Sequence, residues 1–407
     1  MRVAVSSPGR ADFLNTHQDY KGLPVVPVAI NLRMYLYGED TDSRRINVKS
    51  LDLEERGEPS VDSFEIGVNP MLGGKFFGNY LRGVVNVLVK RGFSERLRGM
   101  NVTIKSEIPI GSGLSSSAAL EVGFAHLLNI ACKLNLGKKE LAEIGFAAEN
   151  LEAGIPCGRL DQYGVAFGGI IKLECKPPYR VEPLPFRELT FAIVDSGIRH
   201  STADIHPKRQ DEINRGLKAL MKSDEVPEEL KRLLGYRFDE PCWEKLSEED
   251  LEDYLSILDD DSRKRIIFTL RMNKWTEFAL KILRGEGVSN KEGTKMFGEE
   301  RWRKIKASTG IERSYICLGE VMNEQHSLLR DLYDVSLPEL DEICNAALNA
   351  GAYGAKLSGA GMGGSIIALV RDEKVGRRVI EECIKAGARE GWISEIGEGV
   401  RMEQSGE

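Results

Sequence analysis

Four side chains that could do chemistry fall close together near the start of the chain: Arg10, Asp12, His17 and Asp19. They lie between two strand-like stretches, Arg2 to Ser6 and Pro24 to Ile30. Charged groups gathered between buried strands are a usual way to line a site, and a solvated hairpin loop with surface ion pairs is the alternative. A second group is the loop Gly111-Ser-Gly-Leu-Ser-Ser-Ser117. Its backbone N–H groups, with the positive end of a following helix, suit an anion, most often a phosphate. The rival is plain helix capping, since Ser is a favoured N-cap. The loop lacks the Gly-Lys-Ser/Thr of a Walker A loop and the Gly-x-Gly-x-x-Gly of a dinucleotide fingerprint. Two carboxylates follow, Glu149 and, in the turn Gly154 to Tyr163, Asp161.

The elements that must position these groups follow from periodicity. Asn101 to Ser106 alternates as a strand, and Ala118 to Leu134 carries apolar residues at helical spacing. A strand, a Gly/Ser loop and a helix in that order leave free N–H groups at the helix mouth. Arg2 to Ser6 reads as a strand that breaks into a loop at Ser7-Pro-Gly-Arg10 and continues irregularly to Gly22. Phe76 to Leu88 reads as a helix stopped near Gly92, and Lys138 to Leu151 as another, with Glu149 near its end. Gly168 to Leu173 and Leu189 to Val194 read as strands, and a domain boundary is expected at Asp195-Ser-Gly197. Residues 210–315 are a charged, mainly helical expansion whose acidic clusters form solvated faces and whose Trp243, Trp275 and Trp302 anchor helix packing. A helix from Leu337 to Ala350 then precedes a second glycine-rich run, Gly351 to Ser365, before the strand Ile366 to Val370. That run lets backbone approach a ligand or a facing loop closely, or merely connects strands through positive φ.

At 407 residues the chain is long enough for two domains with packed cores. A net charge of −7 argues against a nucleic-acid partner, though not against a local basic pocket. No apolar run approaches a bilayer span, and the N-terminus lacks the pattern of a signal peptide. The seven cysteines are scattered, with no zinc-ligand spacing, so reduced thiols in the cytoplasm are the simplest account.

Three separated segments resemble the GHMP superfamily of small-molecule kinases, and within it the galactokinase group. Gly9-Arg-Ala-Asp-Phe-Leu-Asn-Thr-His-Gln-Asp-Tyr20 is similar to the galactokinase signature Gly-Arg-Val-Asn-Leu-Ile-Gly-Glu-His-Thr-Asp-Tyr. Pro109 to Ala119 resembles the superfamily's ATP loop, and Lys356-Leu-Ser-Gly-Ala-Gly-Met-Gly-Gly364 its third motif. Ala148 to Gln162 resembles the segment that carries the catalytic aspartate, and His326 to Asp341 a helix pair of the second domain.

The resemblance implies an α+β GHMP kinase fold in two domains: residues 1–195, like ribosomal protein S5, and residues 196–407, ferredoxin-like, with the site in the cleft between them. It implies ATP and Mg²⁺ and a small sugar as second substrate, and leaves monomer or homodimer undetermined. Gly111, Ser112, Gly113, Leu114, Ser115, Ser116 and Ser117 would hold the ATP phosphates, with Ser117 and Glu149 on Mg²⁺. Asp161 would take the proton of the substrate hydroxyl, the anomeric one at C1, and Arg10 would orient Asp161 and neutralise charge as the phosphoryl group moves. Thr16, His17, Asp19 and Gly158 would hold the sugar.

The chain departs from the signature at three places. Thr16 stands where the signature has the Glu that holds the C6 hydroxyl, Asn15 where it has Gly, and Asp12 where it has Asn. No tyrosine lies between Val194 and Leu220, where galactokinases place one against the sugar. Losing the carboxylate at position 16 removes a hydroxyl acceptor and also removes repulsion of an anionic C6. Galacturonate, L-arabinose and 6-deoxy sugars therefore join galactose as candidate substrates. A kinase for mevalonate or homoserine, and a non-catalytic sugar sensor, are the remaining alternatives.

Overall fold

Alternation in the first residues places Val3 and Val5 on a buried face, and the strand they begin runs farther than its Pro and Gly suggest. In the computed structural model, which describes residues 1–74, 76–186, 188–199 and 205–403, it extends from Arg2 to Leu14. The break expected at Ser7 to Arg10 is therefore absent. Ser7, Gly9 and Arg10 keep extended geometry because the chain on both sides is paired or buried, and local turn propensity is overridden by the sheet. The irregular stretch is only Asn15 to Gln18, followed by a short 3₁₀ turn, Asp19–Lys21.

The chain folds as two compact units that exchange segments along the sequence rather than dividing at residue 195. The first comprises Met1–Ala11, Pro27–Ile171 and Ile396–Glu407, and the second Asp12–Val26 and Lys172–Glu395.

In the first unit the sheet runs in the order Arg401–Met402, Arg2–Leu14, Val26–Asp40, Met100–Ser106, Arg45–Ser50, Val61–Glu65. Val26–Asp40 lies antiparallel to Met100–Ser106, with Leu36 opposite Ile104, and Arg45–Ser50 runs parallel to Met100–Ser106. The Ser116–Ala131 helix is buried along most of its length and packs with the helices Gly78–Lys90, Lys138–Phe146 and Leu160–Phe167. Gly123 lets it approach the sheet: a Cβ there would lie 2.6 Å from Ser7 Oγ and 2.8 Å from Leu36. The helix expected over Lys138 to Leu151 changes pitch part-way, with Ala147–Glu152 wound as a π-helical turn.

The second unit is built on a four-stranded antiparallel sheet in the order Glu390–Glu395, Thr190–Asp195, Ser365–Val370, Gly354–Ser358. A strand, helices, two strands, a helix and a strand in that order give the split β-α-β connection of a ferredoxin-like layer. The second glycine-rich run is thus half strand and half tight connection. Gly359, Gly361, Met362, Gly363 and Gly364 all take positive φ between two paired strands. The expansion at 210–315 forms its own apolar cluster around Trp243, which is 1% exposed and donates its indole N–H to Phe238 O at 2.8 Å. Trp302 is buried too, and Trp275 packs against the sheet's core. Among the described residues no helix is long and apolar enough to cross a membrane.

Candidate active site

Arg10 sits on the first strand of the first unit with 7% of its surface exposed. Its Nε and one terminal nitrogen both donate to a single oxygen of Asp161, Oδ1, at 2.8 and 2.6 Å. Its other terminal nitrogen donates to Gly113 O at 2.9 Å, and its backbone N–H to Leu114 O at 3.1 Å. One guanidinium therefore ties the strand, the Gly/Ser loop and the first turn of the Leu160–Phe167 helix together. Asp161 stands in that first turn, but its carboxylate makes no cap bond: the N-cap is Arg159, which pairs with Glu143 instead. With both arginine bonds on Oδ1, Oδ2 keeps its lone pairs on a side chain still 28% exposed. A carboxylate so held is oriented and still partly open, the geometry a general base needs.

The Gly111–Ser117 loop is wound through left-handed conformations at Gly111, Gly113 and Ser115. Ser115 is the N-cap of the Ser116–Ala131 helix, yet its side chain caps nothing, and its buried hydroxyl has no partner among the described residues. Simple capping does not account for that residue. The helix-mouth donors and the orphaned hydroxyl suit a phosphate oxygen.

Glu149 lies on the π-helical turn, 6% exposed. It accepts from Gln162 Nε2 at 2.7 Å and from the Ser117 hydroxyl. Burial, then the charge of Asp161, push its carboxyl up to about 7. Gln162 Nε2 also reaches Glu121 Oε2 at 3.2 Å, and Glu121, fully buried, is raised well above the usual carboxylate range by burial and by Glu149. Sequence reasoning passed over Glu121, a lone acid inside an Ala/Leu-rich helix, although a charge at a buried helical position was itself a signal. Ser117 and Glu149 offer a hydroxyl and a carboxylate, hard oxygen donors that fit Mg²⁺. Among the described residues no three His, Cys, Asp or Glu side chains converge as a metal cage.

In the second unit, Thr16 and His17 are buried and Asp19 is half-buried. His17 Nε2 lies 3.0 Å from Ala360 O, on the second glycine-rich run. Burial, then the nearby His206 and Lys21, hold the His17 ring well below its ordinary pKa, so it is neutral. Thr16 Oγ1 is 3.0 Å from Nζ of Lys356, a lysine with no exposed surface. Gly158, in the first unit, is exposed on the turn before the Asp161 helix. The structure thus brings Arg10, Asp161 and the loop together in one unit, and Thr16, His17 and Asp19 in the other. The glycine-rich motif at 356–364 contains Lys356 without giving it a role.

Three family models match the chain: "GHMP kinases N terminal domain" over residues 79–169, "GHMP kinases C terminal" over 307–389, and "Galactokinase galactose-binding signature" over 2–42. A galactokinase of Roseiflexus sp. (strain RS-1) is 30% identical over 380 residues, 92% of this chain and 84% of that one. The chain belongs to the galactokinase family. It is a phosphotransferase with an alcohol acceptor, and it has the two-domain GHMP kinase fold. Another family member, the galactokinase of Thermococcus kodakarensis, is 30% identical over 387 residues, 93% of each chain. The crystal structure of Lactococcus lactis galactokinase complexed with galactose is similar over 98% of this chain and 95% of that one, with a TM-score of 0.77 at 26% identity. Outside the family, the mevalonate kinase of Methanococcus jannaschii shares the fold at 19% identity, with a TM-score of 0.66.

Proposed function

We propose that the chain transfers the γ-phosphoryl group of ATP to the anomeric C1 hydroxyl of galactose or a galacto-configured sugar, with Asp161 as the base. The observation that carries this reading is the one-sided grip of Arg10 on Asp161 Oδ1, which leaves Oδ2 for the substrate hydroxyl. As Oδ2 takes the proton, the sugar oxygen attacks the γ-phosphorus and ADP departs. Arg10 keeps its hydrogen bonds to Oδ1 throughout and offsets the negative charge that develops nearby. The Gly111–Ser117 loop holds the phosphates, and Ser117 with Glu149 holds Mg²⁺, which when bound screens the phosphate charge. Thr16, His17, Asp19 and Gly158 hold the sugar.

The galactose-binding signature matched over residues 2–42 favours a sugar over mevalonate or homoserine. The oriented Asp161 favours an enzyme over a sensor. All seven cysteines are free, which supports a cytoplasmic setting. The test is a panel of free sugars with ATP and Mg²⁺, following ADP release and locating the new phosphate by ³¹P NMR. ADP release that does not depend on any sugar would end this reading.

A further inference from the structure

Two helices and a π-helical turn of the first unit meet at one buried amide. Gln162, with no exposed surface, directly follows Asp161 in the Leu160–Phe167 helix. Its Nε2 donates to Glu149 Oε2 at 2.7 Å and to Glu121 Oε2 at 3.2 Å. Glu149 comes from the π-helical turn, and Glu121 from the Ser116–Ala131 helix, one turn beyond Ser117 on the same face. Two carboxylate neighbours fix which way the amide faces, because the nitrogen donates and their oxygens accept. Stability alone does not account for this arrangement. Glu121 Oε1 and Gln162 Oε1 are both buried without a hydrogen-bond partner among the described residues. Each unmet acceptor costs free energy that an apolar pair in the same space would not.

That cost falls directly behind Glu149, the carboxylate assigned to Mg²⁺ with Ser117. A ligating carboxylate meets a cation well only when a hydrogen-bond partner outside the coordination sphere holds it in one orientation. We infer that Gln162, anchored by Glu121, is the positioning residue that holds Glu149 ready for the cation that arrives with the nucleotide. The inference rests on the metal assignment within the kinase reading above. Neither residue is itself a ligand: Gln162 acts on Glu149, and Glu121 acts through Gln162. The same helical turn carries Asp161, so the residue gripped by Arg10 and the amide that holds the metal ligand are consecutive. One turn of backbone thus fixes the base and the metal ligand relative to each other.

The test is calorimetry of the full chain with the non-hydrolysable ATP analogue adenylyl imidodiphosphate, once with Mg²⁺ and once with EDTA. In the wild type Mg²⁺ should tighten binding, and the ratio of the two Kd values measures how well the metal ligands are set. Gln162→Met keeps the bulk and removes both donors. It should cut that ratio about tenfold while the Kd in EDTA changes less than about twofold. Glu121→Leu leaves the bond from Gln162 to Glu149 in place but frees its anchor, and should cut the ratio less. The double variant should match Gln162→Met alone, because Glu121 has nothing to act through once the amide is gone. If Gln162→Met unfolds the chain, as thermal melting would reveal, Glu121→Leu decides alone. A ratio that the variants leave at the wild-type value overturns the inference. So does an equal loss of affinity with and without Mg²⁺, which would return both residues to packing. A wild-type ratio of one overturns it together with the metal assignment, while sugar-dependent ADP release still judges the kinase reading separately.

Discussion

Two buried charge clusters in this chain differ in how far their charges are balanced. In the first unit Glu121, Glu149 and Asp161 gather around one guanidinium, Arg10, and one amide, Gln162. In the second, Arg209 and Arg265 lie within the fold paired with Glu212 and Asp334, and burial holds the nearby Lys21 well below the ordinary lysine pKa. Burying unbalanced charge is expensive, so an excess implies what a cluster is built to meet. The acidic cluster suits a divalent cation arriving with a nucleotide, whereas the arginines of the second cluster already have their carboxylate partners. The second cluster also contains a part that is complete in itself. Arg265 is 1% exposed and donates to Glu212, Asp334 and the Leu332 carbonyl, each at 2.6 Å. Unmet capacity thus separates functional charge from structural charge, and the two can be told apart by substitution.

The largest effect should come from Asp161→Asn. It keeps the shape and removes the base, so kcat should fall about 10³-fold, or about 4 kcal/mol in the barrier, with ATP affinity and melting temperature near wild type. Steady-state kinetics with calorimetry of nucleotide binding would check this, and a kcat within tenfold of wild type would remove Asp161 from the chemistry. Arg265→Met should do the opposite. Removing one partner of a satisfied buried network should destabilise the second unit by about 3 kcal/mol in urea unfolding, with kcat unchanged below the new midpoint.

How much of this contrast could be read without coordinates depends on whether the signal was local. The phosphate loop was legible because Gly111, Gly113 and the Ser run specify an unusual backbone within a few residues. Arg10 and Asp161 were legible through motif resemblance, although their contact joins positions 151 residues apart, and no periodicity reports such a distance. The extended run through Pro8 and Gly9 was misread because pairing and burial outweighed two residues that punctuate chains elsewhere. The π-helical turn was invisible: Ala147 to Glu152 has ordinary helical composition, and only the geometry brings Glu149 to Ser117 and Gln162. The partnership of Thr16 with Lys356 spans 340 residues and was equally hidden. The exchange of segments between units follows from the same long-range pairings, such as Val5 with Met402.

The acidic cluster can be examined through pH. Glu149 binds its proton more tightly in the folded chain, at about 7 against an ordinary 4.5, so the folded state holds a proton that the unfolded state gives up. Stability of the metal-free protein should be intact below about pH 4.5, fall as pH rises, and level off past about 7, a loss of up to about 3 kcal/mol. Glu121 is shifted in the same direction and adds to the trend. Thermal melts across pH 5 to 8 should show Glu149→Gln with a shallower slope than wild type. A slope that the variant leaves untouched would mean that the carboxyl at 149 is not responsible.

The smallest predicted effect tests the loop that faces the acidic cluster's nucleotide. If Ser115 were an ordinary N-cap, Ser115→Ala would lose its cap bond and about 1 kcal/mol of stability. The Ser115 side chain makes no such bond, and its left-handed backbone, φ 61°, is as strained for Ala as for Ser. Ser115→Ala should therefore melt within about 0.5 kcal/mol of wild type, as a change that breaks no native interaction does. The KM for ATP should nevertheless rise several-fold, because the buried hydroxyl that lacks a protein partner is the group a phosphate oxygen would meet. A clear loss of stability with an unchanged KM would return Ser115 to the role of a cap and weaken the assignment of this loop to the nucleotide.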